Sequence, residues 1–285
     1  MSGESTYAGI ADLVANVYEV AMQVATEGNV VAPFVTTFGD TNSSVPRIFG
    51  SYSGGTFAAV AESADMTAQA FNATAEGTLT PAVYGSQALL TTRRLRSDPA
   101  NASREAGIHL GNAASEHIDT NLAGLFSSLT GGTVYGGGTS NVGGTLSWAN
   151  IFRAQAYIRT KKIFGRYVCV LHPVQWYYLT SATSGVPTLM QNTAIAESII
   201  GGFYTGSFSN IDFLVDANIT SGTAAVGGMF ARSALALDIR QPFQIAPQWD
   251  ASYSGNGAWE INGSMEYTYG TYHPTHGAQL IGTSA

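Results

Sequence analysis

From Ser97 to Gly132 the chain runs SDPANASREAGIHLGNAASEHIDTNLAGLFSSLTGG, and this stretch constrains the fold more than any other. Ile108, Ala114, Ile118, Leu122, Leu125, Phe126 and Leu129 fall on one stripe of a helix. Ser97 or Asp98 can cap its start, Pro99 suits its first turn, and Gly131 and Gly132 end it. At about 1.5 Å per residue, roughly 30 residues make a rod about 45 Å long. A rod of that length in a mixed chain spans a whole domain. Gly107, Gly111 and Gly124 lie inside it, each costing about 1 kcal/mol against alanine. Such positions permit another backbone to approach closely, or mark a bend.

The stretch before the rod differs. Residues 45–92 are rich in Gly, Ala, Ser and Thr and thin in large apolar side chains. They can form two long strands but no core, so the hairpin needs another surface to lie on. Residues 6–27 read as an amphipathic helix through Ile10, Leu13, Val14, Val17, Val20, Ala21 and Val24, with Ser5 at its start and Gly28 at its stop. VVAPFVTTF then runs extended, with Pro33 barring helix.

After the rod, 134–144 (VYGGGTSNVGG) reads as a flexible linker. Residues 145–240 alternate as a compact α/β region. LSWANIFRAQAYIRTKK is a helix capped by Ser147, RYVCVLH a buried strand, PVQWYYLTSA and PTLMQNTAIAESII helices, and FLVDANI and GGMFA strands; ALALDIRQPF leads out. The tail, 241–285, reads as strands FQIAPQW, WEINGSMEYTYGTYHP and AQLIG, with Tyr253, Trp259, Tyr267, Tyr269 and Tyr272 supplying β character.

Hydrophobic residues make up 45% of the 285 and charged residues only 11%, against a usual charged share of about 25%. A soluble monomer needs a charged skin, so partner subunits are the expected covering of much of this surface. The net charge is −7, lysine occurs only at Lys161 and Lys162, and Arg93, Arg94 and Arg96 form the densest basic group. That makes the chain a poor candidate for wrapping nucleic acid through phosphate contacts, though a polyanion could lie near it, held by other means. One cysteine excludes an internal disulfide framework and a cysteine-rich zinc site. The start, MSGESTYAG, reads as no signal peptide, and no apolar run approaches the length of a membrane span. An intracellular protein is expected. The Asn-x-Ser/Thr triplets at Asn72, Asn101 and Asn218 are what a Ser/Thr-rich chain yields by chance.

Each candidate for chemistry has a plainer reading. Cys169 and His172 are three residues apart in YVCVLHPVQWYYL, and in a strand such residues point to opposite faces. Cys169 reads as a core residue and His172 as a strand-end residue before the helix-starting Pro173. His109 and His117, on one helix, are separated by a rise of about 12 Å, too far for one metal. His273 and His276, in HPTH, could chelate with a distant carboxylate, but they read as turn residues around Pro274, and His-Glu-x-x-His is absent. Gly-x-Ser-x-Gly is absent, and GGGTSNVGG lacks the lysine of a P-loop. No catalytic, cofactor-binding or metal-binding residue is assigned.

The order of elements is itself informative: an N-terminal arm, a long polar hairpin, a spine helix, an α/β lobe and a returning β tail. It resembles the major capsid proteins of tailed bacteriophages of the Hong Kong 97 type, an α+β fold. TLTPAVYGSQALLTTRRLRSDPANASREAGIHLGNAASEHIDTNLAGLF resembles the return of that family's extended loop into its spine helix. YVCVLHPVQWYYL resembles the central strand and following helix of the axial domain, and IGGFYTGSFSNIDFLVDANI a later strand of it.

The resemblance implies an N-terminal arm at 1–48, an extended loop at 49–92, and a peripheral domain at 93–133 and 241–285. The axial domain is 134–240, including the linker 134–144. It further implies pentamers and hexamers that self-assemble into an icosahedral shell around double-stranded DNA, with no sequence-specific binding and no cofactor. The expected setting is a virion assembled in the host bacterial cytoplasm, with a portal, a decoration protein and a separate scaffolding protein as partners, since the arm begins almost at once. Some relatives crosslink through a lysine on the extended loop; residues 49–92 contain none. Gly50, Gly54 and Gly55 could form a hinge near the loop's base. The rival readings are an encapsulin-like compartment, a tail or decoration protein, and an intracellular α/β enzyme using His172, Asp212 or Asp216 within 145–240.

Overall fold

The computed structural model describes residues 17, 19–21, 29–39, 45–53, 59, 62, 72–97, 99–137, 144–181, 204–253 and 257–285. Most of the expected 6–27 helix, the 187–200 helix, Gly54, Gly55, Asp98 and most of the linker lie outside them.

The rod is present as a short helix α1 (Thr92–Ser97), then α2 (Pro99–Gly124), which tightens into a 3-10 turn at Leu125–Ser128. Ser97 does not cap α2. It ends α1, and its hydroxyl donates to the Arg94 carbonyl at 2.9 Å. Ala114, Leu122, Phe126 and Leu129 are buried as expected, whereas Ile108, Ile118 and Leu125 are half-buried. The buried stripe also extends upstream through Ala102, Ala106 and Leu110. A Cβ on Gly107 would stand 2.8 Å from the Val17 carbonyl and 3.1 Å from Val20 Cβ. This glycine therefore admits the N-terminal segment against the rod, while a Cβ on Gly124 would meet nothing.

Two main sheets flank α2. The four-stranded sheet has the order β1-β10-β11-β4, with β1 (Thr36–Gly39), β10 (Leu235–Asp250), β11 (Ala258–Thr271) and β4 (Ala82–Thr91). β10 unites two stretches read separately from sequence, and its pairing with β11 shifts register between Ile239 and Gln244, around Pro242. Pro33 sits not in extended chain but in a 3-10 turn at Ala32–Phe34, where a missing N–H costs nothing.

The 45–92 region also departs from expectation. Only β2 (Arg47–Ser53) and β3 (Asn72–Leu79) form the separate two-stranded ribbon. β4 leaves it and lies along β11, with Leu90 opposite Trp259. The reason is apolar alternation: Ala88 and Leu90 bury against Ala102, Ala106, Leu110 and Ile261. The ribbon itself contributes only Phe49 and Leu79 to a cluster with Ala236.

The six-stranded sheet has the order β5-β12-β9-β6-β8-β7. Its strands are β5 (Thr133–Tyr135), β6 (Tyr167–Leu171), β7 (Tyr204–Phe208), β8 (Ile211–Val215), β9 (Ala225–Phe230) and β12 (Gly277–Gly282). Helices α3 (Trp148–Thr160) and α4 (Pro173–Ser181) accompany it. Ser147 holds the cap position of α3, but its hydroxyl bonds Asn150 Oδ1 and no backbone N–H.

β6 is buried throughout because both of its faces are covered: Val168 and Val170 face the α2 side, and Tyr167, Cys169 and Leu171 the α3 side. Of the stretch 241–285, β12 lies in this sheet, between β5 and β9. Ala278 and Leu280 bury beside Val134, Met229 and Tyr167, which draws the strand away from the tail.

The two glycines of α2 give opposite expectations. Gly107→Ala should destabilise the folded chain by about 1–3 kcal/mol through overpacking, despite its better helix propensity. Gly124→Ala should be neutral or stabilising by up to about 1 kcal/mol. Urea unfolding of both variants against the parent checks the pair.

Candidate functional site

Cys169 is fully buried between Phe213 and Met229 of the adjoining strands, and burial pushes its thiol far up. It is a core residue. His172 follows β6 and caps α4. Its Nδ1 accepts the Val174 N–H at 3.2 Å, while Gln175 Oε1 accepts the His172 N–H at 3.1 Å. With Pro173 in the first turn, this is a reciprocal capping box in which histidine replaces the usual serine or threonine. Gln175 is fully buried, and its Nε2 also donates to the Ala225 and Gly282 carbonyls at 2.9 and 3.1 Å. One side chain therefore ties α4 to β9 and β12.

The three residues of the enzyme reading do not converge. Asp212 lies opposite Val168 and takes Arg166 through both carboxylate oxygens, at 2.7 and 2.9 Å. Asp216 follows β8 beside His172. It is buried, accepts the Asn218 N–H at 2.8 Å, and leaves Oδ2 unpartnered. Burial raises the Asp216 pKa and lowers that of His172, the latter opposed by the Asp216 charge. A cavity of about 520 Å³ opens between the end of α2 and the 218–226 loop, lined by residues such as Thr120, Ser127, Asn218 and Thr223 and by no ionisable side chain.

The other histidines hold turns and helices. His109 is exposed. His117 Nδ1 lies 2.6 Å from the Tyr267 hydroxyl, to which Asn121 donates at 2.8 Å, and burial pushes that phenol up to about 12. His276 Nδ1 meets the Ser233 hydroxyl at 2.7 Å, and its ring lies tilted against that of His273, with centroids 4.7 Å apart. Among the described residues, no three His, Cys, Asp or Glu side chains come together as a metal site, and no helix is long and apolar enough to cross a membrane. Lys161 and Lys162 are exposed just beyond α3, Lys162 with φ 62°.

Two charged clusters escaped the sequence reading. Asp119 lies fully buried on α2 and accepts the N–H groups of Val30 at 2.5 Å and Val31 at 3.1 Å, with Ala32 also contributing. It caps the 3-10 turn of the arm and pins that segment to the rod. The signal was a charge set between Ile118 and Leu122 on the apolar stripe. Burial pushes the Asp119 carboxyl up to about 6, the backbone N–H groups oppose that rise, and the Asp216 charge adds to it.

The second cluster roots the ribbon. Asp238 on β10 is fully buried and takes both Arg47 and Arg240 at 2.9 Å, and Arg240 also donates to the Val45 carbonyl at 3.2 Å. Gly50 sits where the β2–β3 register shifts.

No protein-family model matches the sequence, and no curated protein does. Solved structures do match. The capsid of Ralstonia phage GP4 superposes with TM-score 0.66 at 14% identity, over 88% of this chain and 87% of that one. The capsid of cyanophage P-SCSP1u gives 0.64 at 13%, over 88% and 87%. A virus-like particle from Pyrococcus furiosus gives 0.60 at 10%, over 94% and 98%. The chain has the Hong Kong 97 type capsid fold.

The Asp238 cluster sits at the root of the β2–β3 ribbon, and the Asp119 cap sits where residues 30–32 cross α2.

Both fold-holding clusters give measurable expectations. Gln175→Leu removes the acceptor of the His172 N–H and a donor to the Ala225 and Gly282 carbonyls, and should lower stability by about 3 kcal/mol in urea unfolding. For Asp119 the folded carboxyl titrates at about 6, above the ordinary 3.8, so the folded state holds the proton more tightly. Its contribution to stability is greatest below pH about 4 and falls as pH rises to about 6. Relative to Asp119→Asn, the parent should therefore gain about 3 kcal/mol between pH about 7 and pH about 4.

Proposed function

We propose that this chain is a major capsid protein whose copies form a closed icosahedral shell. The observation that carries the reading is the match to phage capsid structures over most of both chains. The subunit's own physics supports it. A charged share of 11% leaves much surface that neighbouring copies can cover at little desolvation cost. Among the described residues, the ribbon buries only Phe49 and Leu79 in a core cluster. Many modest contacts per subunit then hold the shell by multiplicity.

We assign residues 1–48 to an arm and 49–92 to an extended loop. The strand pairing favours a peripheral domain of 93–132 and 235–276, and an axial domain of 133–234 and 277–285. In this role the protein is structural and not an enzyme. Pentamers and hexamers enclose double-stranded DNA without reading its sequence, in a virion assembled in the host cytoplasm with a scaffolding protein, a portal and a decoration protein. With no lysine at 49–92, the shell is held without loop-lysine crosslinks.

A second reading, a protein compartment without a genome, is favoured by the likeness to the Pyrococcus furiosus virus-like particle. Negative-stain electron microscopy of nuclease-treated protein, expressed alone and with its neighbouring genes, tests both. Closed polyhedral shells or capsomer rings are expected. Particles that stay monomeric under every condition would overturn the shell reading. Shells that protect DNA separate the first reading from the second, in which protein cargo is found.

A further inference from the structure

The charges of this chain are unevenly placed. Between Asp119 and Glu197 the sequence contains no aspartate or glutamate, yet it carries Arg153, Arg159, Lys161, Lys162 and Arg166. Residues 133–234 and 277–285, which hold the six-stranded sheet, contain six lysines and arginines against three acids. The rest of the chain contains six against sixteen. A chain of net charge −7 thus bears one lobe of positive formal charge.

Those cations are gathered on α3 and the turn after it. Trp148, Ile151, Ala154, Gln155 and Ile158 bury one side of α3. They pack with Tyr167, Cys169 and Leu171, on the sheet face turned away from α2. The other side of α3 exposes Arg153 and Arg159, and the turn exposes Lys161, Lys162 and Arg166. Arg166 is held by Asp212. Among the described residues the other four form no ion pair. Arg153 donates to the Tyr157 hydroxyl at 2.9 Å and lies over its ring. From Arg153 to Lys161 the helical rise is about 12 Å.

The pull of a helix C-terminus on cations accounts for charge at the end of α3. It does not account for Arg153 in the middle, nor for lysine at 162. Lys162 has φ 62°, and in that left-handed conformation its N–H reaches the Arg159 carbonyl at 2.9 Å and closes the helix. Glycine is the usual residue at such a cap, because a Cβ there crowds the backbone. Lysine at this position costs stability and supplies charge.

We infer that the exposed side of α3 and the 161–166 turn hold duplex DNA by its phosphates, so that this face of the six-stranded sheet looks into the shell. The inward orientation rests on the shell reading; the affinity for DNA does not. Four cations along α3 and its turn meet a duplex that presents one phosphate per about 1.7 Å of axis, and such contacts read no sequence. They are too few to wrap DNA, so each copy's hold is weak and many copies share it. An acidic protein segment fits less well. Protein contacts centre on packed apolar anchors, and Phe164 is the single large apolar side chain exposed between residues 148 and 166.

The first test measures binding of the full chain to a short fluorescent duplex of mixed sequence. Between about 50 and 200 mM salt the parent's affinity should fall about 100-fold, as four phosphate contacts require. K161A/K162A should halve the log–log salt slope and weaken binding at least about tenfold at the lower salt. R93A/R96A, which remove the same charge from α1, should leave both unchanged. K162G should weaken binding yet raise the urea midpoint, opposite signs that a merely structural lysine would not give. No binding at the lower salt, or an equal loss in R93A/R96A, overturns the site. Polyglutamate bound as tightly as the duplex overturns it too, in favour of an acidic protein. The second test reads orientation. Lys161 and Lys162 are the chain's only lysines, so a small amine reagent followed by mass spectrometry reports on this turn directly. Both should react several-fold more slowly in DNA-filled shells than in DNA-free shells of the same size, and equal rates overturn the inward orientation. A parent that forms no shells removes the shell reading and leaves the first test to decide the site.

Discussion

Both main sheets are joined through one helix, and the rest of the molecule depends on that shared burial. Ala114, Leu122, Phe126 and Leu129 of the spine meet Val168, Val170, Leu214 and Phe230 of the six-stranded sheet. The same cluster takes Leu235, Leu237, Met265 and Tyr267 of the other. Phe126 stacks on Phe230 at 5.7 Å at its centre. The helix has little intrinsic reason to exist, with Gly107, Gly111 and a run of Asn and Ser along it. Burial of its large apolar side chains, at about 1.5–3 kcal/mol each, is what makes it helical. The same burial carries Asp119 inward, which is why a carboxylate is found there holding the arm.

The β2–β3 ribbon is fastened by a different kind of force. Its root buries two large apolar side chains, too few to fix a direction. Asp238, gripped by Arg47 and Arg240, supplies what packing cannot: an ion cluster whose bonds are directional. Such buried ions add little net stability compared with a well-packed apolar substitute, yet removing one partner is strongly destabilising. The root is thus specified more than it is strengthened.

The spine, the buried YVCVL strand and the aromatic tail were legible because each rests on local periodicity. The stripe through Leu122 and Phe126 has helical spacing, and five consecutive buried residues mark a strand covered on both faces. What escaped depended on partners far away in sequence. Nothing local says that Ala82–Thr91 leaves the ribbon for β11, or that Gly277–Gly282 leaves the tail for β5 and β9. Alanine at 102 and 106 signals burial too faintly to be counted in the stripe. Among the chemical candidates, the plain readings of Cys169 and His172 agree with the structure, and the capping role of His172 was written in the His-Pro-Val-Gln order.

The pairing of β12 also sets an order of events. β5 lies immediately after the spine, yet its partner strand is 277–282, which also completes the pairing of β9. Contacts so far apart in sequence form late and slow folding. On a ribosome the lobe must therefore wait, its sheet unfinished along one seam, until those residues emerge. Synthesis itself thus acts as a timer for closing that seam.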